Sequence, residues 1–278
     1  MQQQVEKRTA EWYDSLPLQL ERAYDKVSSQ QSGNPKPSNE PDKWDRFDVM
    51  MPVMAGACEM QRMPEMSDDG KFICGIKDIP NEAQRPCIVY SIGSADRWDF
   101  EAAIYKSTAC EIHTFDCTVD SAHIPEEIQD RVMFHKVCIG NSSKSDSSNN
   151  LIFMNLKEIM DSLGHTYMTL LKADIEGYEY GMFNEILLED DVELPEQISF
   201  ELHYRVAPNS HLTWKSREKT AGEIALFAIR LYEQGYRVLS REDNRLCSHC
   251  TEFTVARFRC PKGSRSMIKN IESLQSNP

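Results

Sequence analysis

Hydrophobic positions along this chain change their spacing near residue 87. From there, short apolar runs alternate with amphipathic segments. Ile88-Val89-Tyr90-Ser91-Ile92-Gly93 reads as a strand closed by a glycine. Glu111–Asp116 reads as a second strand with an acid at its end, and Val132–Val137 as a third. Thr169–Ala173 is an apolar run that stops at Asp174-Ile175-Glu176-Gly177, the pattern of a strand buried in a parallel sheet and bounded by turn residues. Ile198–His203 is a fifth. Helices fall between them. One starts at Asp99, placed to cap it; another is capped by Asn155 with Glu158 at the capping-box position and Gly164 at the stop. A third covers 179–188, and a fourth runs from Thr220 to Gly235. The last runs, Tyr236–Ser240 and Glu252–Arg259, have no helix between them and can pair only as an antiparallel, hairpin-like unit.

This order predicts an α/β fold: a Rossmann-like, seven-stranded, doubly wound sheet with an antiparallel C-terminal strand over 87–262, plus an N-terminal helical and irregular cap. Residues 1–43 read as a helix and linker, with Pro17 suited to a first helical turn and 28–45 a linker by composition. Residues 44–86, irregular and rich in Met and Cys, read as a cap segment. Residues 141–150 read as a surface loop and 263–278 as a tail. In such a sheet the strand order reverses between the first and fourth strands, and ligands bind in the crevice at their carboxyl ends. Gly93 and Asp174 are therefore expected to face each other across one cleft.

Charge narrows the partners. The net charge of -13 repels nucleic acid and anionic membranes. The basic positions Arg257, Arg259, Lys262, Arg265 and Lys269 read as a solvated tail. No apolar run approaches the ~18 residues of a membrane helix, and the N-terminus has no signal-peptide core. The expectation is a soluble chain, cytoplasmic as it stands, or secreted or Golgi-lumenal if a leader has been removed. Of the nine cysteines, Cys87, Cys110, Cys117 and Cys138 read as ordinary buried small residues. Cys247 and Cys250 suit a disulfide, inert thiols or half a zinc site, and Cys58, Cys74 and Cys260 are possible disulfide partners.

The candidate chemistry lies at the strand ends. Ser91, Gly93 and Ser94, with Asp116 23 residues after the glycine, form a nucleoside-binding arrangement: the glycine admits the ligand and the acid accepts from ribose hydroxyls. Gly93-Ser94-Ala95-Asp96 lacks the further glycines a pyrophosphate needs, which disfavours NAD and FAD and favours S-adenosylmethionine. Asp174 is expected beside the donor. Asp174 or His203 is the expected base, with Glu201 on the same side of the strand. Asp174, Glu201 and His203 also offer ligands for a hard divalent ion, although no metal is expected.

Val89–Gly93, His113–Asp116 and Leu171–Glu179 together resemble the FkbM-type class I methyltransferases, most closely the eukaryotic methyltransferase-like protein twenty-four group. Asp69–Cys74 and Cys247–Cys250 are similar to that group as well. The resemblance, over roughly residues 65–260, implies S-adenosylmethionine as cofactor and O-methylation of a small molecule or sugar. By position, Gly93 and Asp116 would bind the donor, with Asp174 beside it. Two rivals are a metal-dependent glycosyltransferase using Asp174-Ile175-Glu176 as a DxD-like site, and a non-catalytic binding module on the same fold.

Overall fold

The structure, a computed structural model, describes residues 7–20, 44–54, 56–67, 69–79, 86–140, 145–146, 151–188, 193–204, 218–247 and 249–258. Most of the expected linker, the tail and the basic positions from Arg259 onward lie outside the described residues. Helix α1 covers residues 7–20. A small hairpin follows, β1 (Met60–Met63) and β2 (Lys71–Cys74), then β3 (Ile88–Ile92), α2 (Asp99–Ser107), β4 (Glu111–Phe115) and β5 (Val132–His135). Three short strands, β6 (Cys138–Ile139), β7 (Ser145–Asp146) and β8 (Leu151–Met154), form a side sheet before α3 (Leu156–Leu163) and β9 (Leu170–Ala173). The chain closes with α4 (Glu179–Leu188), β10 (Gln197–His203), α5 (Ala221–Glu233), β11 (Tyr236–Asp243) and β12 (Cys250–Arg257).

The main sheet has seven strands in the order β11-β12-β10-β9-β3-β4-β5. Strand β12 runs antiparallel to both β10 and β11, and the others pair in parallel. The α/β expectation is met, including the reversal of order at β3, which lies between β4 and β9. Every residue of β3, β9 and β10 is buried, as strands covered on both faces should be. One face packs Tyr90, Phe115 and Leu171 with residues of α3, α4 and α5. The other packs Val89, Ile112 and Leu170 against Phe100 and Ile104 of α2.

Four local expectations change. Pro17 lies in the last turn of α1, because Trp12 and Leu16, four residues apart, are the pair that docks; the Trp12 indole donates to the Val49 carbonyl at 3.1 Å. Asp99 is the first residue inside α2, with Trp98 at the cap position, and its carboxylate accepts from Ser67 Oγ at 3.2 Å. The capping boxes at Asn155 and Thr220 form as read. Part of the expected loop 141–150 is strand β7, paired with β8; the rest of that loop lies outside the described residues.

The fourth change concerns cysteine. Cys87–Cys110 and Cys117–Cys138 are disulfides, not separate small residues, and so are Cys58–Cys74 and Cys247–Cys250. Cys87 and Cys110 each precede the first residues of neighbouring strands, where Ile88 pairs with Glu111, so their Cα atoms are only 4.5 Å apart. Sequence spacing alone carries no sign of that adjacency. The four pairs occupy eight of the nine cysteines. Thiol titration of the unfolded, unreduced chain should therefore return about one free thiol; several would contradict the pairing.

Hairpin β1–β2 lies over the β10–β12 pair. Ser199 Oγ and Thr254 Oγ1 both donate to the Phe72 carbonyl, at 2.9 and 2.5 Å. The Gln197 side chain brackets the backbone of Cys74, accepting from its N–H at 2.6 Å and donating to its carbonyl at 3.2 Å. This docking aims Lys71 at the carboxyl ends of the strands.

Candidate functional site

Two strand-end turns build the site. Gly93, after β3, has φ +83°, and a Cβ there would lie 1.8 Å from the Asp174 carbonyl oxygen. Only glycine lets the ends of β3 and β9 close to this distance. The chain then passes through Ala95 (φ 49°) and Asp96 (φ 58°), while the turn after β9 passes through Glu176 (φ 55°). These are the positive-φ non-glycine residues among those described. Each costs about 1–2 kcal/mol, so backbone strain is concentrated in the two turns that wall one cleft.

Carboxylates hold these turns in place. Asp116 Oδ2 accepts from the Ser94 and Ala95 N–H groups at 3.0 and 2.7 Å, and Oδ1 accepts from Thr118 N and Oγ1 at 2.8 and 2.6 Å. Those four bonds take up the acceptor positions of a carboxylate. The capacity expected for ribose hydroxyls is thus used by the loop itself. Glu179, fully buried, does the same for the second turn, accepting from Ile175 N at 3.0 Å and Gly177 N at 3.1 Å.

The charged centre lies between the turns. Lys71 Nζ, 2% exposed, sits 3.1 Å from Asp174 Oδ2 and 2.5 Å from Glu252 Oε1. Burial alone would raise the Asp174 pKa, but Lys71 and Lys172 hold its carboxyl well below the usual range. Burial dominates at Glu252 and pushes it up to about 8 despite Lys71. Lys172, also buried, donates to the Gly93 carbonyl beneath the cleft.

His203 is enclosed by carboxylates. Glu179 Oε1 lies 3.1 Å from Nδ1, and Glu201 Oε2 and Glu176 Oε2 lie 3.3 and 3.6 Å from Nε2. Burial favours the neutral ring, yet Glu179 and Glu201 outweigh it and raise its pKa well above the ordinary value. Both ring nitrogens of His203 thus face carboxylates, an arrangement that favours the protonated ring over the free base expected of it. Glu201 is held from its other side by Asn244 Nδ2, which donates to Oε1 at 2.9 Å.

A cavity of about 410 Å³ joins these parts. Gly93, Ser94, Asp116, Asp174, Glu201 and His203 all line it, so those expected residues converge. Ser91 does not: it is fully buried in β3, below the turn and away from the lining. Alternation explains this, because Ser91 points opposite to Ile92 along the pleat. Lys71, Glu179 and Glu252 were missed as site residues. Their one sequence signal was weak: Lys71 heads the apolar Phe72-Ile73 pair, an odd place for a cation to be left unpartnered.

A seven-stranded sheet of this order, with its cleft at the switch point, has the class I methyltransferase architecture. The chain belongs to the methyltransferase-domain family, whose profile matches residues 17–257. It is 29% identical over 170 residues to the rat protein described as "Probable methyltransferase-like protein 24" and 28% identical over the same length to the human one. In each case the alignment covers 58% of this chain and 42% of the relative, so it spans less than half of either relative's length. Among solved structures, the methyltransferase FkbM from Methylobacillus flagellatus aligns at 12% identity and a TM-score of 0.37, over 60% of this chain and 43% of that one. S-adenosylmethionine is the cofactor of such a domain.

The residues present fit that cofactor. Phe115, Val137, Ile139 and Phe153 give one wall an apolar surface suited to a purine, while Asp174, Glu176 and Glu201 make the other end anionic, as a sulfonium requires. Ser94 lines the cavity, and its buried Oγ has no hydrogen-bond partner among the described residues.

Replacing Lys71 by Met should leave Asp174 and Glu252 buried without their cation and cost about 3–5 kcal/mol in denaturant unfolding. Glu252 also sets a pH dependence. Its carboxyl is raised from 4.5 to about 8, so its contribution to stability is full below pH 4.5 and lost as pH rises through 8. Melting temperature should fall more steeply across that window in the wild type than in Glu252→Gln. Parallel profiles would contradict the assignment.

Proposed function

We propose that this chain transfers the methyl group of S-adenosylmethionine to a hydroxyl of a small molecule or sugar. The observation that carries this reading is a single cavity with a glycine turn on one side and a dense group of carboxylates on the other. The bound cofactor supplies an electrophilic methyl on a sulfonium centre. The Gly93–Ala95 turn, clamped by Asp116, would hold the nucleoside part. Asp174, kept ionised by Lys71, would face the cationic part. Ser91 shapes the strand end from below without touching the ligand.

The same electrostatics choose among the carboxylates for the proton-accepting role. Asp174 is held too acidic to be an effective base near neutral pH. Glu176 lines the cavity, and burial raises its pKa. We assign it the acceptor's hydroxyl proton, with His203 and Glu201 fixing its surroundings as positioning groups. The net charge of -13 supports a small acceptor over nucleic acid. The four disulfides support folding in an oxidising compartment.

Calorimetric titration with S-adenosylmethionine and S-adenosylhomocysteine tests the binding half. Saturable binding is expected, weakened at least tenfold in Asp174→Asn for the cationic donor and less for the neutral product. Absence of binding by the folded chain would overturn the reading. Transfer of labelled methyl to a panel of hydroxyl acceptors tests the other half. Glu176→Gln should lower kcat by about 10²–10⁴, a far larger effect than on cofactor Kd. An unchanged kcat would remove Glu176 from the mechanism.

A further inference from the structure

A second group of titratable side chains lies on the α3 face of the sheet, on the β4–β5 side. Glu111 opens β4, and His113, two residues later, points to the same side. His113 Nε2 lies 2.9 Å from Glu111 Oε1, and its Nδ1 lies 2.9 Å from His135 Nε2 at the end of β5. His165 follows the Gly164 cap of α3, with its backbone N–H bonded to the Met160 carbonyl at 2.8 Å. Its ring is set edge-on to His113 at 4.8 Å between centroids and is held through Nδ1 by the Tyr90 hydroxyl at 2.7 Å. One donor atom from each of Glu111, His113 and His165 lies within 4.8 Å of the other two.

We propose that Glu111, His113 and His165 bind a divalent transition metal, with zinc the best match to two imidazoles and one carboxylate. Three protein ligands leave a fourth tetrahedral position for water. The surrounding hydrogen bonds are those a metal site needs. With the metal replacing the proton at His113 Nε2, Nδ1–H donates to His135, and Tyr90 fixes the ring of His165. The Glu111 side chain, 48% exposed, leaves the group open to solvent, while His113 is 4% exposed and rigidly packed. The ion would tie the segment after α3 to the first residues of β4. None of these three residues lines the methyltransferase cleft, so the proposal stands apart from that reading.

The probe is Zn²⁺, titrated into the metal-stripped full chain in competition with a chromophoric chelator. One ion per chain is expected, bound at least tenfold more weakly by Glu111→Gln and by His165→Gln. Both variants should keep the melting profile of the metal-stripped wild type; Glu111 is a half-exposed position whose replacement leaves the core intact. Co²⁺ should give the visible absorption of a tetrahedral site in the wild type and lose it in His165→Gln. Absence of saturable binding, or wild-type affinity retained in both variants, would overturn the proposal; the latter would place the ion elsewhere.

Discussion

The site depends on one buried cation. Lys71 comes from a two-stranded hairpin outside the main sheet, yet its ammonium lies between Asp174 of the β9 turn and Glu252 of β12. An ion buried this deeply is tolerated only when it is paired and hydrogen-bonded. The carboxylates need it as much as it needs them, since Glu201 and Glu252 are directly opposed in the β10–β12 register. The hairpin, the switch point and the antiparallel end of the sheet are thus locked by charge as well as by packing. That lock keeps Asp174 ionised at the place where a cationic ligand would arrive.

Around this lock the two turns store strain and the surrounding groups stabilise it. Ala95, Asp96 and Glu176 hold left-handed backbone conformations, and each turn is fastened by a carboxylate that accepts its N–H groups. The Gly93–Ala95 turn, through its Asp116 clamp, is further restrained by the Cys117–Cys138 bridge, which joins the residue after Asp116 to β6. A cleft assembled in this way is pre-organised: little of its shape waits for the ligand.

Much of the fold was legible because parallel strands announce themselves. The apolar runs ending in Gly93, Asp116, Asp174 and His203 gave strand ends that doubly wound topology gathers on one edge. What failed was whatever depends on distant parts of the chain. Lys71 is 103 residues from Asp174 and 181 from Glu252, and no local pattern links them. His203 looked like a base because a lone histidine at a strand end often is one. Three carboxylates from α4, β10 and the β9 turn surround it and favour its protonated form. Cys87 and Cys110 read as core because they flank apolar runs, but strand pairing makes them neighbours. Pro17 was misplaced because Trp12 and Leu16, ahead of it in the chain, already anchor α1.

Hydrogen exchange of the full chain, with and without S-adenosylmethionine, tests the central claim most directly. The account predicts added protection in the backbone of residues 93–97 and 174–179, the two turns that the Asp116 and Glu179 carboxylates fasten, with the distant ends of the sheet unchanged. Protection confined to other segments would contradict it, because the ligand would then be held somewhere other than the cleft that Lys71 locks.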